Sequence, residues 1–486
     1  MTGRHSVEKI GGTSMAATAT LFDNVLIAGR SGANLYHRIF VVSAYGGMTD
    51  LLLENKKSDA PGVYGRFVAQ EDDGGWREAI EIVRSAMHER NAAMFARPES
   101  RAEADAFVDQ RIAAVAACLD DLARLRSHGR FCVKEQLTTA RELLAGIGEA
   151  HSAHSTSLLL RDRDVNARFV DLTLWNQDDL GSLDARIEQA FAAIDLSTAL
   201  PVVTGYAGCE GGMVRRYARG YTEMTFSRIA VLTGAREAII HKEFHLSSAD
   251  PKLVGEGKAR KIGRTNYDVA DQLANLGMEA IHPGAGRGLR QSGIPLRVRN
   301  TFDREDAGTL VTGDYVSDVP RVEIVTGLRQ MQALQFFEQD MVGVKGYDAA
   351  ILDALTRHKL WIVSKSSNAN TITHYLSASA AAVNAAVAEL QDRYPDASIT
   401  AQPVAMVSVI GSDIARPGLV PDALRALDEA GVPMIAMQHQ IRNVDVQFLV
   451  APRDFEVAVR ALHKALVEDG ALVEDGAISA EDRRAA

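Results

Sequence analysis

The sequence predicts an α/β protein in two parts, and three observations support this prediction. Residues 7–14 have the pattern of a buried strand that runs into paired glycines and then a helix start. Residues 40–53 repeat the same order of strand, Gly-rich loop and helix. Beyond residue 314, two successive segments each have the pattern of a strand, a helix and two further strands. We therefore expect one large α/β domain followed by two smaller α+β units.

The composition is that of an ordinary soluble globular protein. The chain has 486 residues, 47% of them hydrophobic and 24% charged, which is enough for two to four domains. The net charge of -10 argues against nucleic acid or an anionic membrane as a partner. The three cysteines are scattered and form no Cys-x-x-Cys pair. With a polar N-terminus and no apolar run of ~18 residues, we expect a cytoplasmic protein without a membrane partner.

The first Gly-rich stretch has the features of a phosphate-binding loop. Gly11 and Gly12 let the backbone approach a ligand closely, and N–H groups at a helix start point toward an anion. Lys9 adds a compact positive charge that suits phosphate. The order differs from a Walker A loop, which requires Gly-x-x-x-x-Gly-Lys-Ser/Thr. On these residues alone, a tight turn beside a solvated lysine is an equal alternative.

The middle of the chain reads as mainly helical. Apolar residues at three- and four-residue spacing predict amphipathic helices over 76–95 and 101–125, and residues 134–160 continue this pattern. Glu149, His151 and His154 lie close together in that last segment. The surrounding sequence supplies no further ligand at metal-site spacing, so we expect no metal site there.

Charged residues follow the later strands. Arg219 stands beside a Gly turn and can hold a carboxylate bidentately, and Glu223 lies at a helix start, where it can hold an ammonium group or organise cationic side chains. A strand over 238–240 leads into His-Lys-Glu-Phe-His at 241–245, which is not the His-Glu-x-x-His zinc motif. Residues 258–262 form a basic turn.

Several motifs recur in one order along almost the whole chain. They are Lys-x-Gly-Gly-Thr-Ser at 9–14, Val-Val-Ser-Ala at 41–44, Arg-Gly at 219–220, His-Pro at 282–283 and Pro-Leu-Arg-Val-Arg-Asn-Thr-Phe at 295–302. With them the chain resembles the aspartate kinases (aspartokinases) of the amino-acid kinase superfamily, which carry C-terminal ACT domains. The stretches at 219–225 and 241–245 depart from the usual family motifs and are similar to the aspartate kinases of ectoine biosynthesis.

This resemblance implies a fold and its boundaries. Residues 1–315 are expected to form the amino-acid kinase domain, an open, mainly parallel sheet sandwiched by helices. Two α+β ACT domains are expected at 316–400 and 401–465, with the first inserted into the second as an alternative, and a flexible tail at 466–486. ACT pairs often bind an amino-acid effector and build a dimer, so the family also implies a homodimer or higher homo-oligomer.

The resemblance also implies an activity, the ATP-dependent phosphorylation of the L-aspartate β-carboxylate to 4-phospho-L-aspartate. This is the first step of the aspartate-family pathway, with ectoine synthesis as its expected use, and it requires ATP with Mg²⁺. A kinase for another small carboxylate and a non-catalytic ACT sensor of amino acids with a degenerate kinase domain are the alternatives.

The residues that match the family's site positions fall into four groups, with no metal ligand among them. The catalytic pair is Lys9 and Glu223. The nucleotide contacts are Lys9, Gly11, Gly12, Lys242, Glu243, Lys252, Arg260 and Lys261. The substrate contacts are Ser43, Thr49, Glu149, Arg219 and Thr222. The effector contacts are Asn368 and Asn443.

Overall fold

The computed structural model describes residues 4–55, 58–69, 75–173, 181–217, 220–278 and 281–469. The chain divides into two compact units. Unit 1 comprises residues 1–245 and 281–313, and unit 2 comprises residues 246–280 and 314–486.

Strands and helices alternate along the first part of the chain, as predicted. The strands are β1 (Ser6–Ile10), β2 (Arg38–Val42), β3 (Ala167–Val170), β4 (Leu200–Thr204), β5 (Glu237–Lys242), β6 (Arg264–Asn266), β7 (Leu296–Asn300), β8 (Thr309–Thr312), β9 (Ile324–Phe337), β10 (Trp361–Ser367), β11 (Thr371–Ser377), β12 (Ser398–Ile410), β13 (Met434–His439) and β14 (Asp445–Val450). The helices are α1 (Gly12–Ala16), α2 (Thr18–Leu21), α3 (Met48–Leu52), α4 (Val63–Ala69), α5 (Gly75–Met94), α6 (Pro98–Ser127), α7 (Lys134–Arg161), α8 (Leu183–Phe191), α9 (Met213–Tyr217), α10 (Tyr221–Leu232), α11 (Pro251–Val254), α12 (Tyr267–Asn275), α13 (Pro283–Gln291), α14 (Tyr347–Arg357), α15 (Ala380–Arg393), α16 (Leu419–Glu429) and α17 (Phe455–His463).

The sheet of unit 1 is mainly parallel. Its strands lie in the order β3-β4-β2-β1-β5-β7-β8, and only β8 pairs antiparallel among them. Every residue of β2 and β4 is buried, as expected of strands covered on both faces. The carboxyl ends of β1, β2, β4 and β5 therefore meet at one edge, where open α/β sheets bind ligands. The predicted open, mainly parallel sheet is confirmed.

Unit 2 contains one antiparallel sheet in the order β10-β11-β9-β12-β14-β13. Two separate hydrophobic cores pack against it. One contains Val325, Val407 and Phe448, and the other contains Leu334 and Phe336. The long strands β9 and β12 pair along almost their whole length and contribute side chains to both cores.

The segment over 246–280 packs with unit 2, whereas the sequence prediction placed it in a catalytic domain that extends to residue 315. Val254 belongs to the same core as Phe448 and Phe455, and the Val325 N–H donates to the Ser248 carbonyl at 2.7 Å. These contacts join residues that are distant in sequence, so no local motif predicts them. The end of α17 continues as a π-helical turn over Lys464–Glu468, and the rest of the predicted tail, 470–486, lies outside the described residues.

Among the described helices, none has both the length and the apolar character that crossing a bilayer requires.

Candidate active site

The loop that follows β1 lies against the loop that follows β2. Gly11 precedes α1, and the Gly46 N–H donates to the Gly12 carbonyl at 3.0 Å. A Cβ atom on Gly12 would lie 2.8 Å from the Ala44 carbonyl oxygen, closer than real Cβ atoms approach. Glycine at position 12 therefore permits the contact between the two Gly-rich loops.

Lys9 and Glu223 form an ion pair beside these loops. The Lys9 Nζ lies 3.3 Å from Glu223 Oε1, and the two side chains are only 11% and 12% exposed. The other Glu223 oxygen accepts the His282 backbone N–H. Burial alone raises the pKa of the Glu223 carboxyl, but the charges of Lys9 and Lys242 and this N–H outweigh burial and lower it overall. Glu223 is therefore an ionised partner that fixes the position of the lysine.

A second carboxylate, Glu149 of α7, lies in the same region and is 2% exposed. Its Oε1 accepts the Thr222 hydroxyl at 2.8 Å, and Ser43 Oγ lies 3.5 Å from Thr222 Oγ1. Its Oε2 is buried and has no well-aligned hydrogen-bond partner in the described part of the chain. Three predicted substrate contacts, Ser43, Glu149 and Thr222, thus lie together.

Burial makes the Glu149 carboxyl unusually weak as an acid. Desolvation raises its pKa to about 8, although the Thr222 hydroxyl, the backbone N–H groups of Tyr206 and Ala44 and the charge of Lys9 lower it in part. A carboxyl that is mostly protonated at neutral pH, and whose Oε2 has no well-aligned partner among the described residues, is suited to receive a cationic ligand group, which would favour its ionised form.

Other predicted substrate and nucleotide contacts of unit 1 have different placements. Thr49 is half-buried in α3, whose first turn follows Gly47 at φ +85° rather than a side-chain cap. Lys242 ends β5, and Glu243 follows it; both are half-buried. Arg219, the predicted carboxylate ligand, lies outside the described residues.

The remaining predicted nucleotide contacts belong to unit 2. Lys252 lies in the short helix α11, and Arg260 and Lys261 lie in the basic turn that follows it; all three are exposed. Arg260 and Lys261 line a cavity of about 450 Å³ whose other charged residues are Arg264, Arg321 and Glu323, so that cations outnumber the single acid.

The two predicted effector residues also lie in unit 2. Asn368 lines a cavity of about 330 Å³, and its Oδ1 accepts the N–H groups of Asn370 and Thr371. Asn443 adopts a left-handed backbone conformation at φ +53°, and its carbonyl accepts the Ile414 N–H. Both asparagines therefore shape turns, and their role toward an effector stays a prediction.

One group in unit 1 has the composition of a metal site. His245 Nε2 lies 3.4 Å from Asp303 Oδ2, and His245 Nδ1 lies 3.6 Å from Asp306 Oδ1. Because each ring nitrogen faces a different carboxylate, the group forms a chain of polar contacts around the imidazole, and we assign no metal to it.

Sequence reasoning missed Glu142, which holds the segment that precedes α10. Its carboxylate accepts the backbone N–H groups of Met213, Val214 and Arg215 and the Tyr206 hydroxyl, at 2.8–3.0 Å. The carboxylate thus caps α9 from a distant helix. No local signal marks this residue, because its partners lie about 70 positions further along the chain.

Sequence reasoning also missed a buried charged network beneath the Lys9 loop. Glu8 accepts Arg38 Nε at 2.8 Å and lies 2.8 Å from His241 Nε2, and all three side chains are buried. Burial alone raises the pKa of Glu8, but Arg38 and His241 lower it well below its usual range. The network joins β1, β2 and β5, the strands whose ends form the site. His241, the first residue of the motif at 241–245, is therefore a core residue.

Replacement of Arg38 by Ala is expected to lower the free energy of unfolding by about 3–5 kcal/mol, because it leaves the Glu8 carboxylate buried without its cationic partner. Urea denaturation followed by circular dichroism measures this change. Adding Glu8→Gln to Arg38→Ala should restore part of the loss, since the buried charge is then removed. A double variant less stable than Arg38→Ala would contradict this explanation.

Comparison with known proteins agrees with the fold and shows the family. The model of the amino acid kinase family matches residues 6–300. The aspartate kinase Ask_Ect of Stutzerimonas stutzeri is 48% identical over 464 residues, which cover 96% of this chain and 98% of that protein. Escherichia coli aspartokinase III in complex with aspartate and ADP (R-state) superimposes with a TM-score of 0.70 at 19% identity, over 95% of this chain and 100% of that one. Its complex with lysine and aspartate (T-state) gives 0.69 at 18% identity, over 96% and 100%. The chain belongs to the amino acid kinase family and, within it, to the aspartate kinases.

Proposed function

We propose that this protein transfers the γ-phosphoryl group of ATP to the β-carboxylate of L-aspartate and forms 4-phospho-L-aspartate. The observation that carries this proposal is the 48% identity to an aspartate kinase over 96% of the chain. The geometry around Lys9 is compatible with it, because this lysine, the ionised Glu223 and the buried Glu149 lie beside two Gly-rich loops.

The chemistry needs charge neutralisation rather than a general base. The acceptor carboxylate of aspartate has a pKa of about 3.9 and is already ionised at neutral pH. The obstacle is the approach of one anion to another, which is overcome by positioned cations and N–H groups. In this proposal Lys9 stabilises the transferring phosphoryl group, Gly11 and Gly12 let the backbone approach it, and Glu223 holds Lys9 in place.

The aspartate would be held by residues around Glu149. Its Oε2, which has no well-aligned partner among the described residues, receives the substrate ammonium group, and the Ser43 and Thr222 hydroxyls complete this side of the pocket. On the family resemblance, Arg219 is assigned the α-carboxylate and Thr49 a further contact in the substrate pocket.

The nucleotide would enter as the complex of ATP with Mg²⁺. Mg²⁺ prefers oxygen ligands and usually keeps several waters together with substrate phosphates. The carboxylates of Glu149 and Glu223 already contact Thr222, Lys9 and the His282 N–H, so we assign the metal to the nucleotide rather than to this chain. Besides Lys9 and the two glycines, the proposed nucleotide contacts are Lys242, Glu243, Lys252, Arg260 and Lys261.

We further propose that the product feeds ectoine synthesis, on the strength of the likeness to Ask_Ect. An amino-acid effector at the antiparallel sheet of unit 2, with Asn368 and Asn443 among its contacts, is proposed from the E. coli enzyme solved with lysine. A cytoplasmic location and a homodimeric or higher assembly complete the proposal; the free thiols of Cys118, Cys132 and Cys209 suit a reducing compartment.

The direct test is aspartate-dependent phosphoryl transfer from ATP, with the product trapped by hydroxylamine as the hydroxamate. Glutamate serves as the control acceptor, and lysine and threonine are titrated as effectors. Hydroxamate formation with aspartate and not with glutamate is the expected result. Folded protein that binds ATP but forms no hydroxamate would instead support a role as an amino-acid sensor.

A further inference from the structure

Three side chains of unit 2, Ser248, His463 and Glu468, form a hydrogen-bonded relay. Ser248 Oγ lies 2.8 Å from His463 Nε2, and His463 Nδ1 lies 3.0 Å from Glu468 Oε1. Ser248 and His463 are both 0% exposed. The relay connects the segment just before α11 to the last residue of α17 and to the π-helical turn that follows it.

The direction of the relay follows from its carboxylate end. The Glu468 carboxylate can only accept, so His463 carries a proton on Nδ1 and donates it there. In the neutral ring Nε2 is then an acceptor, and the Ser248 hydroxyl, whose oxygen accepts the Arg260 backbone N–H at 2.8 Å, donates its own hydrogen to Nε2. Burial lowers the pKa of His463, although Glu468 opposes this effect, and a neutral ring agrees with this direction.

Hydrolases use the same order of serine, histidine and carboxylate for nucleophilic catalysis. Here the serine has no exposed surface, and its oxygen already accepts a backbone N–H. A substrate cannot reach this oxygen, so the relay acts as a link within the structure.

The relay fixes the basic turn that carries Arg260 and Lys261. Arg260 Nη2 donates to the Glu468 carbonyl at 3.3 Å, Lys258 Nζ lies 3.8 Å from Glu468 Oε2, and the Ser248 N–H donates to the Arg260 carbonyl at 2.8 Å. The cavity of about 450 Å³ in unit 2 has this turn as one wall and Leu466 with Val467 as another. The relay therefore ties two walls of one cationic cavity together.

We propose that His463 is a positioning residue for nucleotide binding, which holds the turn with Arg260 and Lys261 in the conformation that receives the polyphosphate. This inference rests on the proposed function, in which both cations contact ATP. The effect of His463 is transmitted through the Ser248 hydroxyl to the backbone of Arg260, and the residue itself does not touch the substrate.

Two substitutions separate the two sides of the imidazole. Asn at position 463 places its amide near the position of Nδ1, so it can keep the hydrogen bond to Glu468 but loses the one to Ser248. Gln places its amide near the position of Nε2, so it can keep the hydrogen bond to Ser248. We expect His463→Asn to raise the KM for ATP about tenfold, as for the loss of one buried hydrogen bond. The KM for aspartate and the kcat at saturating ATP should change less than about twofold, and His463→Gln should restore most of the ATP affinity.

His358→Asn is the matched control, because His358 Nε2 also lies 2.8 Å from a glutamate, Glu389, in unit 2. Its KM for ATP should equal that of the wild type. Calorimetric titration with ADP alone gives a second measurement that does not need phosphoryl transfer. If the wild type forms no hydroxamate but His463→Asn binds ADP more weakly than the wild type, the proposed reaction is refuted and the positioning role of His463 in nucleotide binding is supported.

The inference is overturned if His463→Asn binds ADP as tightly as His358→Asn while only its Tm falls, because His463 would then serve stability alone. Absence of ADP binding by the wild type overturns it as well. Should His463→Asn fail to fold, Ser248→Ala, which removes the same hydrogen bond from the other side, takes its place with the same expected rise in the KM for ATP.

Discussion

Replacement of Lys9 by Ala is expected to lower kcat by about 10²–10³-fold, the order found when a group that stabilises transition-state charge is removed. Lys9 Nζ is held 3.3 Å from Glu223 at the ends of the parallel strands, where the transferring phosphoryl group is proposed to lie. The hydroxamate assay at saturating ATP and aspartate measures this loss.

Two controls show whether the loss is chemical. Lys134→Ala removes an exposed lysine of unit 1 and should leave kcat unchanged. Because Lys9→Ala leaves Glu223 without its cationic partner, Lys9→Ala combined with Glu223→Gln should recover thermal stability but not kcat. A Lys9→Ala protein with near-normal kcat would refute the assignment of Lys9.

Replacement of Glu149 by Gln is expected to raise the KM for aspartate about 10–100-fold, the range for loss of a hydrogen bond to a charged group. It should also abolish the release of a proton that we expect when aspartate binds to the wild type. With a pKa of about 8, the Glu149 carboxyl is mostly protonated at pH 7 in the free protein. A bound ammonium group favours the ionised form, so aspartate binding should release up to about one proton. Calorimetry in two buffers of different ionisation enthalpy measures the release.

The same substitution should change the pH dependence of stability. The folded-state pKa of Glu149 is raised above its ordinary value of 4.5, so its stabilising contribution is complete below pH 4.5 and is lost as the pH rises through about 8. The Tm of the wild type relative to Glu149→Gln should therefore fall between pH 5 and pH 9. Glu135→Gln, at an exposed site on the same helix, should show neither effect. Equal proton release by wild type and Glu149→Gln would contradict the assignment.

Local sequence patterns correctly predicted those parts of the site whose residues are close together in the chain. The turn at Gly11 and Gly12 follows directly from a strand, two glycines and a helix start. The predicted partnership of Glu223 with Lys9 required the family resemblance, since 214 positions separate the two residues. The depth at which Glu149 is buried, and hence its high pKa, depends on packing that no single segment encodes.

The features that sequence reasoning did not reach share one property, which is that their partners are distant along the chain. Glu142 caps a helix from another element, and Arg38 neutralises Glu8 across two strands. His241 illustrates the same difficulty, because nothing in the motif at 241–245 indicates that this residue meets the buried Glu8 in the core. Composition and periodicity describe which residues are buried but not which charges meet there.

The two long strands of unit 2 limit how this protein can be recombined with its relatives. The N-terminal half of β9 and the C-terminal half of β12 contribute side chains to the core around Val325 and Phe448. Their other halves contribute side chains to the core around Phe336. A chimera joined at residue 400 would cut β12 inside one core and leave both halves with incomplete sheets. The exchangeable piece is instead the stretch from about Met331 to Val404, which begins and ends at the midpoints of the shared strands. Grafting that stretch from a relative should transfer one core intact and leave the other in place.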